Sequence, residues 1–180
     1  ALVEDNIRAL QVANKVDIGV GLNFIWGFAN DTEETLWKNV EAIKTYTKFD
    51  QVRTIRPPTP YPGSPLYYEA INKGILSGPD DFFKKFKNSD LITINFTKYS
   101  NEECAKMLYE ANKELVLHHF RNTTGNMDEA NSILDGYKRL YFEGDYKFRG
   151  ARKYDKDSRV KSSSDNVKEN SEVENVVVSS

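Results

Sequence analysis

Four prolines in six positions, at 57, 58, 60 and 62, constrain this chain more than any other feature. Each ring fixes φ near −65° and removes a backbone donor, so neither a helix nor a strand ladder can run through them. Residues 57–62 must therefore be a stiff loop. A helix starts directly after it: Ser64 suits the N-cap and Pro65 the first helical position, and Gly74 is placed to stop that helix. On the N-terminal side of the loop, Gln51 to Arg56 reads as a short strand that has to end at the first proline.

Upstream, Val3, Ile7, Leu10 and Ala13 fall at helical spacing within residues 2–15. The run Ile18-Gly-Val-Gly-Leu-Asn-Phe-Ile-Trp26 suits a buried strand. Asp31 and Glu34 stand at capping-box spacing, and Leu36, Val40, Ile43 and Thr47 then mark one face of a helix. Strand, helix and strand in this order predict a βαβ unit with parallel strands and a right-handed crossover. Downstream, Leu91 to Phe96 reads as a strand or extended segment. Ser100 and Glu103 open a long helix reaching about Arg121. Asn126 and Glu129 open a last one, with Ala130, Ile133, Leu134, Tyr137 and Leu140 or Tyr141 turned inward. No internal repeat is apparent. All 22 Phe, Trp and Tyr residues lie at or before Tyr154. Residues 155–180 hold six Val and seven Ser but no aromatic and no Leu. Such a segment cannot assemble a core and is expected to be a disordered tail.

Composition excludes several functions. A formal charge of −2 argues against both a polycationic nucleic-acid binder and an acidic polyanion. The single cysteine, Cys104, cannot form an internal disulfide. Nor can it alone hold an iron–sulfur cluster or a Cys-rich zinc site. No apolar run approaches about 20 residues, so no transmembrane helix is expected. No secretory signal is visible, which fits a cytoplasmic location. The start at Ala1, inside a helical pattern, reads as a chain cut from something longer.

In parallel α/β folds, ligands bind beyond the carboxyl ends of strands. The loops Gly27–Asp31 and Pro57–Ser64 both leave such ends, so Gly27, Asn30, Arg56, Thr59 and Tyr61 are expected on one rim. Gly27 admits a close backbone approach to a ligand, and the helix start after it offers N–H groups to a carboxylate or phosphate. Asn23, polar within an apolar strand, calls for a partner. The plainer reading is that Gly27 serves a turn and neighbouring main chain satisfies Asn23. Other candidates read as structural. His118 and His119 are adjacent and do not form an i, i+4 metal pair. Cys104 reads as a buried or inert thiol rather than a reactive one, and Asp80 with Asp81 as a helix start rather than an acid/base pair. Residues 137–154 mix bases with aromatics. They read first as a helix end packing its rings and second as a nucleic-acid-contacting strip.

Two runs carry a more specific signal. One is Gly21-Leu-Asn-Phe-Ile-Trp-Gly-Phe-Ala-Asn-Asp-Thr-Glu-Glu34. The other is Arg56-Pro-Pro-Thr-Pro-Tyr-Pro-Gly-Ser-Pro-Leu-Tyr67. Together they resemble the C-terminal half of a radical SAM enzyme, whose fifth barrel strand leads into Gly-Phe-Pro-Gly-Glu-Thr and whose sixth leads into Thr-Pro-Tyr-Pro-Gly-Thr-Pro. The later Asn88 to Thr97 and Glu110-Ala-Asn-Lys113 resemble the C-terminal extension of members with an N-terminal cobalamin-binding domain. The resemblance spans about residues 1–121. It implies an α/β fold in which 1–78 are the C-terminal βα units of a partial (β/α)6 TIM-like barrel. Residues 79–154 would be a helical extension and 155–180 the tail.

Carried over residue by residue, Ile25 and Gly27 match the motif that lies against the adenine of S-adenosylmethionine. Asn23 shares the face of Ile25 by the period of two, and the sixth-strand end, Arg56, Pro57 and Pro58, borders the same pocket. The implied cofactors of the complete enzyme are S-adenosylmethionine and a 4Fe–4S cluster, with cobalamin in the members that the extension resembles. The implied reaction is radical attack on, or methyl transfer to, an unactivated carbon. Two departures stand out. The usual Pro-Gly-Glu is Ala29-Asn30-Asp31 here, and the Cys-x3-Cys-x2-Cys loop of the first strand is absent. The missing N-terminal half of the barrel is thus the implied partner, and the isolated chain is expected to be inactive, poorly folded or self-associating. The competing expectation is a non-enzymatic interaction module whose sheet edge pairs with another subunit.

Overall fold

The computed structural model describes residues 3–16, 18, 20, 22–47, 51–86 and 94–145. All belong to one compact unit within residues 1–150. The tail reading for 155–180, and the first part of the Leu91–Phe96 segment, lie outside the described residues.

Six helices and two strands are described, in chain order: α1 (Val3–Lys15), β1 (Phe24–Ile25), α2 (Glu33–Tyr46), β2 (Ile55–Arg56), α3 (Pro65–Asn72), α4 (Pro79–Lys85), α5 (Asn101–Asn122) and α6 (Met127–Phe142). The local signals account for most boundaries. Ser64 caps α3 by accepting from the Tyr67 N–H, with Pro65 in its first turn. Gly74 lies just past α3 in the left-handed region, at φ +68°. Ser100 and Glu103 form the expected reciprocal box at the start of α5. Asn126 caps α6, and Asp80 with Asp81 lie in the first turn of α4. The box at α2 is displaced by one residue. Thr32 and Thr35 form it, while Glu34 points outward to pair with Lys38 at 2.7 Å.

The expected βαβ order is present: β1 and β2 pair in parallel, Phe24 opposite Ile55 and Ile25 opposite Arg56, with α2 between them. The partial (β/α)6 barrel is not. Helices make up 62% of the described residues and strands 3%, and the sheet among them has two strands. Two causes can be read from the side chains. The apolar run expected as a buried strand reaches the surface at Ile18, 58% exposed, and Ile25, 49% exposed, and among its described residues only Phe24–Ile25 finds a ladder partner. On the other side, the outer edge of β2 is closed by a helix rather than by another strand. Asn112 of α5 accepts from the Ile55 N–H at 2.8 Å and donates to the Ile55 carbonyl at 3.0 Å.

The main core forms where α5 packs on α2, α6 and β2. Cys104, Leu108, Ala111 and Leu115 of α5 recur at i, i+4, i+7 and i+11, and meet Trp26, Leu36, Val40, Ile43 and Ile55. A second core joins α3 and α4 to the segment at 94–96: Tyr67, Ala70, Leu76, Phe82, Ile94 and Phe96.

Candidate functional site

The strand alternation sorts the predicted site residues between two faces. Trp26 and Ile55 are buried in the main core with Phe24 packed against it, so Asn23, Ile25 and Arg56 belong to the opposite face. Asn23 is exposed, which removes the need for a buried partner that its place in an apolar run suggested. Arg56 is half-buried, and its carbonyl accepts from the Trp26 N–H at 2.9 Å. On this face Ile25 stands opposite Arg56, with Asn23 two residues earlier.

At its end, the loops after β1 and β2 touch. Gly27 sits at φ +127°, and a Cβ there would come within 2.9 Å of Pro58 Cδ. The glycine thus makes room for the Pro58 ring of the adjacent loop. Where the sequence suggested a close approach to a ligand, the structure shows a close approach between two loops. Gly27, Pro57 and Pro58 line a narrow crevice, with room for little more than a water molecule, with Trp26, Ile94, Asn95, Cys104 and Leu108. The crevice opens to solvent where the two cores meet, beyond the carboxyl ends of the two strands.

At the helix start expected to meet an anion, the Thr35 N–H donates to Thr32 Oγ1 at 3.3 Å and the Glu33 N–H to the Tyr99 hydroxyl at 3.4 Å, and the loop before it already holds a carboxylate. The N–H groups of Gly27 and Phe28 both donate to Asp31 Oδ2, each at 2.9 Å. Asp31 Oδ1 also accepts from the Thr35 hydroxyl. The carboxylate that this loop holds is therefore its own. Trp26 locks the same loop from below, its indole N–H donating to the Thr32 carbonyl at 2.9 Å.

The other rim candidates divide. Asn30 is exposed and Thr59 half-buried. Tyr61 turns to the second core, its ring 5.9 Å from Phe82 and 5.6 Å from Phe86. At the floor of the crevice the Cys104 thiol is buried. It lies 3.3 Å from Thr97 Oγ1 and 3.8 Å from Asn95 Oδ1. Burial pushes this thiol up, with the Glu103 carboxylate adding to the rise, against hydrogen bonds that lower it. A thiol so placed is mostly protonated near neutrality.

Among the described residues no three His, Cys, Asp or Glu side chains gather as a metal site. The sequence has one cysteine where a 4Fe–4S cluster needs three thiolates from a single loop. The chain's own residues therefore do not fit the cluster. Among the described residues no helix is long and apolar enough to cross a membrane. In the basic–aromatic strip, Tyr137 is buried, stacks on Tyr141 and donates to Thr54 Oγ1 at 3.2 Å. Phe142 meets the Tyr109 ring, and Arg139 pairs with Asp145. Residues 146–154 of the strip lie outside the described residues.

The sequence reading places Pro58 at the border of the pocket without foreseeing its fit to Gly27, and it gives a second organising residue no role. Asn112 lies inside the Glu110–Lys113 motif without a function. Its available signal is that of a lone polar residue on the apolar stripe of a long helix.

Compared with family models, with curated proteins and with solved structures, the chain matches none.

Proposed function

We propose that this chain supplies an adenosyl-binding surface to an S-adenosylmethionine-dependent radical enzyme whose cluster-bearing segment is contributed from outside these 180 residues. The observation that carries the reading is the shared open face of Asn23, Ile25 and Arg56, which ends at the Gly27–Pro57 junction. A branched apolar side chain packs against the face of a purine, the Asn23 amide suits its edge, and the guanidinium suits a carboxylate or ribose oxygen. The resemblance assigns those same positions to the nucleoside. This chain's part is confined to holding the adenosyl group and excluding water from one side of it.

A methyl-detected NMR titration of the 180-residue chain with S-adenosylmethionine tests the reading. Ring-current shifts should appear at the Ile25 methyls and the Gly27 amide. Adenosine should compete for them and methionine should not. Ile25→Asp should abolish the Gly27 amide shift while the circular dichroism stays unchanged. Absence of shifts at millimolar ligand, or an unaltered Gly27 amide shift in Ile25→Asp, would overturn the reading. Anaerobic treatment with iron and sulfide adds a second arm: a stoichiometric cluster on this chain alone would refute the division of labour.

A further inference from the structure

Among the described residues, Asn112 is the buried polar residue of the core, with no measurable exposure. It sits on α5, 57 residues from the peptide it binds. Its side-chain amide meets Ile55 as a neighbouring strand would, oxygen to N–H and nitrogen to carbonyl. The same nitrogen lies 3.5 Å from the Tyr141 hydroxyl of α6. A second tie runs from Tyr137 of α6 to Thr54, one residue before. The backbone leaving these two ties is Arg56, whose carbonyl receives the Trp26 N–H, and then Pro57 and Pro58, which close on Gly27.

We infer that Asn112 is a positioning residue, which acts as a one-residue strand to fix the Ile55 peptide and thereby sets Arg56 and the Pro57–Pro58 turn against Gly27. Its functional meaning rests on the adenosyl-site reading. Its physical content is the register of β2, which can be measured without any ligand.

The chemistry of the amide dictates the test. An amide both donates and accepts. A carboxylate at the same place only accepts, so Asn112→Asp leaves the Ile55 carbonyl unpaired at neutral pH and sets a charge in an apolar site. Protonation restores an O–H donor of nearly the same shape. Desolvation raises the titration of such a carboxyl above the ordinary carboxylate range, which brings the restoration into reach of mild acid.

Amide hydrogen exchange on the full chain reads the outcome. In the wild type, Ile55 N–H should be among the slowly exchanging amides, held by a side chain where a strand would hold it by a carbonyl. In Asn112→Asp at about pH 7, the protection factors of Ile55 and Trp26 should fall about ten- to hundredfold. They should recover toward wild type in mild acid, while the wild type shows no such recovery. Asn112→Leu should lose both at either pH. Loop-like exchange of Ile55 N–H in the wild type would overturn the inference even if every variant failed to fold. Loss of protection at Ile55 with Trp26 unchanged would overturn the positioning role, leaving Asn112 a local bond. Wild-type S-adenosylmethionine shifts that persist unaltered in a folded Asn112→Leu chain would separate the residue from the site and overturn its functional meaning. Absence of shifts in the wild type, with the exchange pattern as expected, would sink the adenosyl reading and leave the register-setting role standing.

Discussion

Two of the apolar cores among the described residues are fastened in different ways. Around Leu108, polar bonds of long sequence reach cross the packing: Asn112 to Ile55 over 57 residues, Lys44 to Glu114 over 70, and Tyr137 to Thr54 over 83. Among the described residues around Phe82 the polar ties are short. Ser64 caps its own helix, Asp81 holds Ser77 and Lys85, and Lys85 reaches Ile75 only ten residues back. Stacked and tilted rings make up the rest, with Phe82 5.4 Å from Phe86 and 5.9 Å from Tyr61. Apolar packing compacts both regions. A buried polar pair adds register, because a misplaced donor or acceptor goes unpaired and costs more than a shifted methyl. The candidate site lies at the seam, where the fastened core meets the stacked one.

The largest expected effect would undo this contrast outright. Phe82→Ala removes a fully buried ring and should cost about 3–5 kcal/mol within the second core. If the two cores are fastened independently, exchange protection should vanish in α3 and α4 while α2 and α5 keep theirs. A uniform loss across the chain would show that they are one cooperative unit. Leu108→Ala, in the fastened core, should cost about 3 kcal/mol. It should lower the denaturation midpoint for α2, α5 and α6 together, as seen by residue-resolved exchange.

Gly27→Ala probes the seam itself. It imposes a left-handed conformation on an alanine and drives a methyl into the Pro58 ring, for about 2 kcal/mol. Chemical denaturation should register that loss. The Gly27→Ala chain should also lose the S-adenosylmethionine shifts, because its two loops can no longer close.

Smaller effects belong to the helix ends. Ser100→Ala should cost about 1 kcal/mol, measured by thermal unfolding. Its partner Glu103 carries the pH signature. The Ser100 backbone N–H, and then its hydroxyl, hold the Glu103 carboxyl below the usual carboxylate range. A carboxyl depressed in the folded state contributes stability that is present above its unfolded value. That contribution is lost as pH falls through the folded value. The start of α5 should therefore loosen in acid, and Glu103→Gln should flatten that dependence in a pH series of exchange at Glu103 and Cys104.

The helical starts are legible in the sequence because caps are local: Ser64, Ser100 and Asn126 each bond to a backbone N–H three residues ahead. At α2 the same logic slips by one, since Asp31, Thr32, Glu34 and Thr35 offer two boxes in succession. Asp31 is drawn instead to the Gly27 and Phe28 amides. The parallel pairing is legible from the order strand, helix, strand. The barrel is not there to be found in the described residues. An apolar run such as Ile18–Trp26 becomes a buried strand only when neighbours cover both its edges, and one edge partner of two residues is what β1 has. At the site, the alternation of Asn23 and Ile25 can be read from sequence alone. The fit of Gly27 to Pro58 and the grip of Asn112 on Ile55 cannot, because each joins residues whose nearness is a product of the finished fold.

The long reach of Asn112 also sets an order of events during synthesis. Ile55 and Asn112 are 57 residues apart, and chains grow at roughly 5–20 residues per second. For several seconds after β2 leaves the ribosome, the residue that completes its outer edge has yet to be made. The first half of the chain can assemble its helices at once, but the strand end beside Ile25 and Gly27 is finished only when the fifth helix arrives.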